Sequence, residues 1–209
     1  MSGGAPPGTA HNARCMARAG VAKRLVARIG EDPAVIGGIG HANFDLWAAG
    51  HRPRNFYMLG SMGLAIPIGL GVALAQPGRR VFVLEGDGSL LMQMGCLSTV
   101  AAQAPRNLAI LLLDNGVFQI TGAQATPAER AGTDLIGVAR ASGLHRAAWA
   151  ADEEDFDRLV DRCLAEDGPH VIGLKLDDSL PERQTERDPP QIRDRFMRGM
   201  GAKKDRTLG

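Results

Sequence analysis

Three observations in this sequence predict an α/β domain: a doubly wound, mostly parallel sheet flanked by helices. Short apolar runs recur at residues 34–37, 80–85, 108–113 and 171–176. Several are continuous rather than alternating, as strands buried on both faces of a parallel sheet are. Stretches with apolar residues at helical spacing separate them, and strand–helix alternation of this kind builds a parallel sheet.

The elements follow in order. Residues 1–12, rich in Gly and Pro, read as a flexible lead-in. Met16, Val21, Leu25, Val26 and Ile29 recur at helical spacing over 13–29, and Gly30 with Pro33 ends that helix. A strand at 34–37 opens into Gly38-Ile39-Gly40-His41-Ala42-Asn43, with a short helix expected over 44–49. Residues 60–75 read as a helix although Gly63, Gly69 and Gly71 fall inside it. Each interior glycine costs about 1 kcal/mol relative to Ala, so close backbone packing is expected to offset them. The strand at 80–85 runs into the turn Gly86-Asp87-Gly88-Ser89, and a helix is expected over 90–103 with Ser89 as its N-cap. After the strand at 108–113, residues 114–133 read as a long polar loop. Helices are expected at 134–142 and 152–166, and a last strand at 171–176. Beyond 178 the composition turns highly charged, with Pro181, Pro189 and Pro190 and few apolar residues. The chain thus divides into a lead-in (1–12), one domain (13–178) and an extension (179–209), the last either disordered or draped on a partner.

Composition excludes several classes. With 24 basic and 23 acidic residues among 209, no polybasic surface for nucleic acid or membrane is expected. Cys15, Cys96 and Cys163 are widely separated, so no CxxC metal or cluster site is present. An odd cysteine count, with no apolar signal core in the first ten residues, points to the cytoplasm. Cys96 reads as a small core residue.

Ligands of open α/β sheets sit at the carboxyl ends of strands. Two predicted strands end in unusual polar groups: Gly86-Asp87-Gly88-Ser89 and Asp114-Asn115-Gly116. Right-handed crossover makes the two strands neighbours, so Asp87 and Asn115, 28 positions apart, face each other. A carboxylate, an amide oxygen and backbone carbonyls are hard ligands suited to Mg²⁺, which takes further oxygens from phosphates. Gly86 and Gly88 allow close backbone approach, and Ser89 with the helix behind it supplies donors. The site reads as a magnesium-bridged diphosphate. Its bland rival is an ordinary strand-to-helix turn with an unrelated loop asparagine.

These motifs resemble the thiamine-diphosphate signature. Asn55-Phe56-Tyr57-Met58-Leu59-Gly60-Ser61-Met62-Gly63, Leu91-Met92-Gln93-Met94-Gly95, Leu113-Asp114-Asn115-Gly116 and Thr121-Gly122-Ala123-Gln124 extend the likeness to sulfopyruvate and phosphonopyruvate decarboxylases. The resemblance covers residues 20–176 and implies the thiamine-diphosphate-binding fold. It implies that Asp87, Asn115 and the Val117 carbonyl ligate Mg²⁺, and that Gly86, Gly88 and Ser89 hold the diphosphate. The Gly60 carbonyl would accept from the aminopyrimidine, with Ser61 beside it. Met62 would pack between the cofactor rings, although a methionine alone reads as core filler. His41, in a strand-end loop, reads as a diphosphate contact or an acid/base group, or as a solvated histidine; His11, His51, His145 and His170 join no constellation.

In that family a second domain carries the glutamate that activates the pyrimidine. The chain is too short for both, so a separate pyrimidine-binding subunit is expected, in a heterotetramer or larger assembly. The expected activity is that of a 2-oxoacid carboxy-lyase, active only with the partner. The sulfo- and phosphonopyruvate enzymes it resembles carry an arginine where Phe44 stands, and usually polar residues where Phe118 and Ile120 stand; the departure implies a substrate with a less charged tail. Other readings stay open: a thiamine-diphosphate carboligase, a 2-oxoacid oxidoreductase subunit, or a non-catalytic cofactor-binding subunit. A nicotinamide site is disfavoured, because Gly38-x-Gly40 is followed by Asn43 where a glycine is needed.

Overall fold

The computed structural model describes residues 13–202, so the expected lead-in and the last seven residues lie outside it. The elements run α1 (Arg18–Ile29), β1 (Ala34–Gly37), α2 (His41–Ala49), β2 (Asn55–Tyr57), α3 (Ala65–Ala75), β3 (Val81–Gly86), α4 (Asp87–Met92), α5 (Cys96–Gln103), β4 (Leu108–Asp114), β5 (Val117–Phe118), β6 (Gln124–Ala125), α6 (Pro127–Ala131), α7 (Leu135–Ala141), β7 (Ala147–Trp149), α8 (Glu153–Ala165), β8 (His170–Lys175) and α9 (Pro189–Gly199). Six strands form one all-parallel sheet in the order β2-β1-β3-β4-β8-β7, and β5 with β6 makes a small antiparallel hairpin.

Successive residues of a strand point to opposite faces, and here each face is covered by helices. Val81, Val83, Ile110 and Leu112 join residues of α3, α5 and α7 on one side. Phe82, Leu84, Leu111 and Leu113 join α1, α2 and α8 on the other. The doubly wound architecture expected from the sequence is therefore observed. β1 pairs with β2 on one side and with β3 on the other. The chain thus reverses direction of growth between β1 and β3, which opens a crevice at their carboxyl ends.

Several local expectations change. The helix expected over 60–75 begins at Ala65, with Gly63 at φ +76° in the turn before it. Within α3, only Gly69 answers to close packing. A Cβ there would stand 2.2 Å from Val83 Cγ2, whereas one at Gly71 meets nothing within 4 Å. The helix expected over 90–103 is two helices broken at Gln93–Gly95. Gly86 takes the N-cap position and Ser89 lies inside α4. The polar loop 114–133 holds β5, β6 and α6. Strands β2 and β7, three residues each, are too short to leave a periodic signal.

Part of the extension folds back on the domain. Over residues 189–199, Asp188 caps α9 through the Gln191 N–H, Pro189 and Pro190 occupy its first turn, and Ile192 and Phe196 are buried. Phe196 meets Phe56 of β2 edge-on, with ring centroids 5.6 Å apart. Pro189 and Pro190, which in the sequence only marked a change of composition, start a helix here. No helix among the described residues is long and apolar enough to cross a membrane.

Candidate active site

A cleft of about 160 Å³ lies at the carboxyl ends of β1, β3 and β4. Its walls come from the segment after β1 (Ile39, Gly40, His41, Ala42), from Met62, from Gly86-Asp87-Gly88-Ser89, and from Leu113, Asn115 and residues 117–121. Pairing of β3 with β4 sets Gly86 opposite Leu113, which brings Asp87 and Asn115 onto one rim as the sequence pattern required. Arg18 and Leu176 close the side. Gly60 and Ser61 are exposed and stand outside the lining. Phe44 does not line the cleft either; its ring lies 5.8 Å from that of His41.

Asp87 is 2% exposed. Burial raises its pKa from 3.8 to about 6, Thr126 opposes this by hydrogen bonding, and nearby Asp114 adds to it. Thr126 Oγ1 donates to Asp87 Oδ2 at 2.5 Å, and the same oxygen accepts from Glu129 N to cap α6. Thr126-Pro127-Ala128-Glu129 is a helix-start signature that was open to view in the sequence. The end of β4 is held by Lys175 Nζ, 2.6 Å from Asp114 Oδ2. Asn115 Nδ2 donates to Gln119 Oε1 at 3.0 Å, and Asn115 Oδ1 receives only a long bond, 3.3 Å, from Val117 N.

The Ser89 hydroxyl does not cap a helix. It donates to Glu85 Oε1 and accepts from Gly63 N at 2.7 Å. Glu85 Oε2 takes Ala65 N at 3.1 Å. Glu85 is 1% exposed, and burial raises its pKa against these hydrogen bonds. Glu85 and Ser89 thus pin the turn that carries Met62 against the Gly-Asp-Gly loop. At Gly88 the missing side chain is explained by an aromatic ring, since a Cβ would stand 2.2 Å from Phe118 Cε1.

Sequence reasoning missed Arg18. It is 4% exposed, pairs with buried Asp45 through Nε, and donates to Gln119 Oε1 and the Ser179 carbonyl, both at 2.6 Å. Burial raises the Asp45 pKa while Arg18 opposes the shift. Burial likewise lowers the His41 pKa, against its hydrogen bond to Gln119. The only sequence signal for Arg18 was its place on the apolar face of α1.

Residues 38–174 match the family described as "Thiamine pyrophosphate enzyme, C-terminal TPP binding domain". The chain belongs to this family. Among its relatives, the sulfopyruvate decarboxylase subunit beta of Methanothermobacter thermautotrophicus is 48% identical over 139 residues, 66% of this chain and 71% of that one. The phosphonopyruvate decarboxylase of Streptomyces viridochromogenes is 42% identical over 154 residues, 74% of this chain but 38% of that protein. The chain thus spans about two fifths of the phosphonopyruvate decarboxylases it matches. The thiamine diphosphate-dependent 4-hydroxybenzoylformate decarboxylase of Rhodococcus jostii shares the fold, with a TM-score of 0.68 at 21% identity over 86% of this chain and 34% of that one.

As a domain of this family, the site offers a fitting donor set. A buried carboxylate with a raised pKa gains from a cation beside it. Asn115 Oδ1 and the Val117 carbonyl are hard oxygens on the same rim. Among the described residues no cluster of three or more His, Cys, Asp or Glu could hold a metal. Mg²⁺ takes six oxygens, so Asp87, Asn115 and the Val117 carbonyl would leave positions that a diphosphate or water can fill.

Proposed function

We propose that this chain is the diphosphate- and Mg²⁺-binding subunit of a two-part, thiamine-diphosphate-dependent 2-oxoacid decarboxylase. The observation that carries the reading is the convergence of Gly86-Asp87-Gly88-Ser89 and Asn115 on one strand-end cleft in a chain of this family. Asp87, Asn115 and the Val117 carbonyl would hold Mg²⁺, and the backbone of Gly86, Gly88 and Ser89 would face the diphosphate. When bound, thiamine diphosphate supplies the carbanion and the electron sink for decarboxylation. Met62 would pack between the cofactor rings, and the Gly60 carbonyl, with Ser61 beside it, would accept from the aminopyrimidine. His41 would stand at the diphosphate or substrate end.

No glutamate lines the cleft among the described residues, and Glu85 is buried beneath it. The activating glutamate is therefore assigned to a pyrimidine-binding partner subunit, which the beta-subunit names of the relatives favour. The assembly would be a heterotetramer or larger, in the cytoplasm.

The substrate side is apolar. Ile39, Leu113, Phe118, Ile120 and Leu176 line the cleft, and its one arginine, Arg18, is already committed to Asp45, Gln119 and Ser179. A sulfonate or phosphonate tail needs an uncommitted cation. A 2-oxoacid with an apolar tail fits better.

The test uses the chain with its partner, thiamine diphosphate and Mg²⁺, against sulfopyruvate, phosphonopyruvate, phenylpyruvate and 4-methyl-2-oxopentanoate. Aldehyde and CO₂ should form fastest, about tenfold or more by kcat/KM, from the last two. Decarboxylation by this chain alone would remove the two-part reading. Preference for sulfopyruvate would remove the apolar-tail reading while leaving the decarboxylase intact.

A further inference from the structure

One side-chain oxygen gathers three donors at the cleft. Gln119 Oε1 lies 2.6 Å from Arg18 Nη1, 2.9 Å from His41 Nδ1 and 3.0 Å from Asn115 Nδ2. On the other end of the same amide, Gln119 Nε2 donates to the Asp178 carbonyl in the segment after β8.

The orientation of this amide follows from its neighbours. A guanidinium only donates, and a backbone carbonyl only accepts. Arg18 therefore demands the oxygen of Gln119, and Asp178 demands the nitrogen; a flipped amide would lose both bonds. With Oε1 so placed, the groups that meet it must donate. Asn115 must present its Nδ2, which leaves Oδ1 as the atom turned to other ligands. His41 must present a protonated Nδ1, which leaves the Nε2 of the neutral ring as an acceptor.

We infer that Gln119 is a positioning residue that sets the amide orientation of Asn115 and the tautomer of His41. Asn115 thereby offers an oxygen to a hard cation, and His41 offers an unprotonated Nε2. A partner one step removed from a metal ligand commonly governs its orientation, and its loss costs roughly 10- to 100-fold in metal affinity. The tether to Asp178 makes the segment that leaves β8 part of this arrangement. The cation half of the inference rests on the proposed function; the tautomer half does not.

The test is ¹⁵N NMR of the histidine ring nitrogens in the full chain at about pH 8, where histidine is neutral, together with titration of Mn²⁺ in the presence of thiamine diphosphate. In the wild type, neutral His41 should carry its proton on Nδ1; an Nε2–H tautomer overturns the inference without any variant. Gln119→Met removes the acceptor. It should abolish the Nδ1–H preference and weaken Mn²⁺ by about tenfold or more; retention of either wild-type property overturns the inference. Gln119→Glu keeps an acceptor toward all three donors, loses the donation to the Asp178 and Ser179 carbonyls, and adds a negative charge. It should retain the tautomer, and loss of the tautomer in this variant counts against the acceptor role. A wild type that binds no Mn²⁺ with thiamine diphosphate counts against the proposed function, while the tautomer remains measurable.

Discussion

Asp87 carries the clearest titration signature in the site. Its folded-state pKa of about 6 lies above the ordinary 3.8, chiefly through burial. The folded chain therefore holds this proton more tightly than the unfolded chain does. Without a cation, the carboxyl's contribution to stability is full below about pH 4 and declines as pH rises to about 6, by about 3 kcal/mol in all. Denaturant unfolding of the cofactor-free chain across this window should show the decline. Asp87→Asn should lack its share, and equal pH slopes for the two proteins would contradict the assignment. Ser89 tests the packing under the loop. Ser89→Ala strips a partner from the buried Glu85 carboxylate and from Gly63 N, at a cost of about 1–3 kcal/mol by chemical unfolding.

At the scale of elements, α3 separates two glycines that look alike in sequence. Gly69 lets the helix lie on β3 against Val83. Gly69→Ala should destabilise by about 1–3 kcal/mol through overpacking, despite a helix-propensity gain of about 1 kcal/mol. Gly71 has open space, so Gly71→Ala should stabilise by about 0.5–1 kcal/mol. Thermal melts of the pair decide it, and Tm shifts of the same sign would refute the distinction. Helix α9 is testable in the same way. Phe196→Ala should cost about 3–5 kcal/mol, because the ring is 8% exposed against β2. A loss under about 1 kcal/mol would mean that α9 is dispensable to the domain.

For the whole molecule, the reversal between β1 and β3 places the cleft where three strand ends meet. A parallel sheet puts all its carboxyl ends on one side, so loops distant in sequence share one opening. The proposed function then requires a second surface to bring the missing glutamate. The chain mixed with its partner should turn over a 2-oxoacid, and either alone should not.

Four of the six sheet strands, most of the flanking helices and the Asp87–Asn115 pairing were legible because continuous apolar strands and glycine-flanked polar turns are local signals. The break between α4 and α5 was not: Gln93-Met94-Gly95 contains no strong helix breaker beyond one glycine. The role of Ser89 was hidden too, since its partners Glu85 and Gly63 come together only when α3 and α4 dock on β3. Phe118 was legible as a departure toward an apolar pocket, but its seat against Gly88 was not.

Sequence alone determined which residues line the carboxyl ends of β3 and β4, because the hydrophobic pattern and contiguous motifs are local, and the resemblance those motifs carry pointed to the cofactor class. Only the tertiary structure decided that Arg18, Asp45, Gln119 and Asp178, drawn from four separate segments, form one hydrogen-bonded assembly beside the cleft. Amide orientation and histidine tautomer depend on which donors and acceptors meet in space, and no spacing in the chain encodes that meeting.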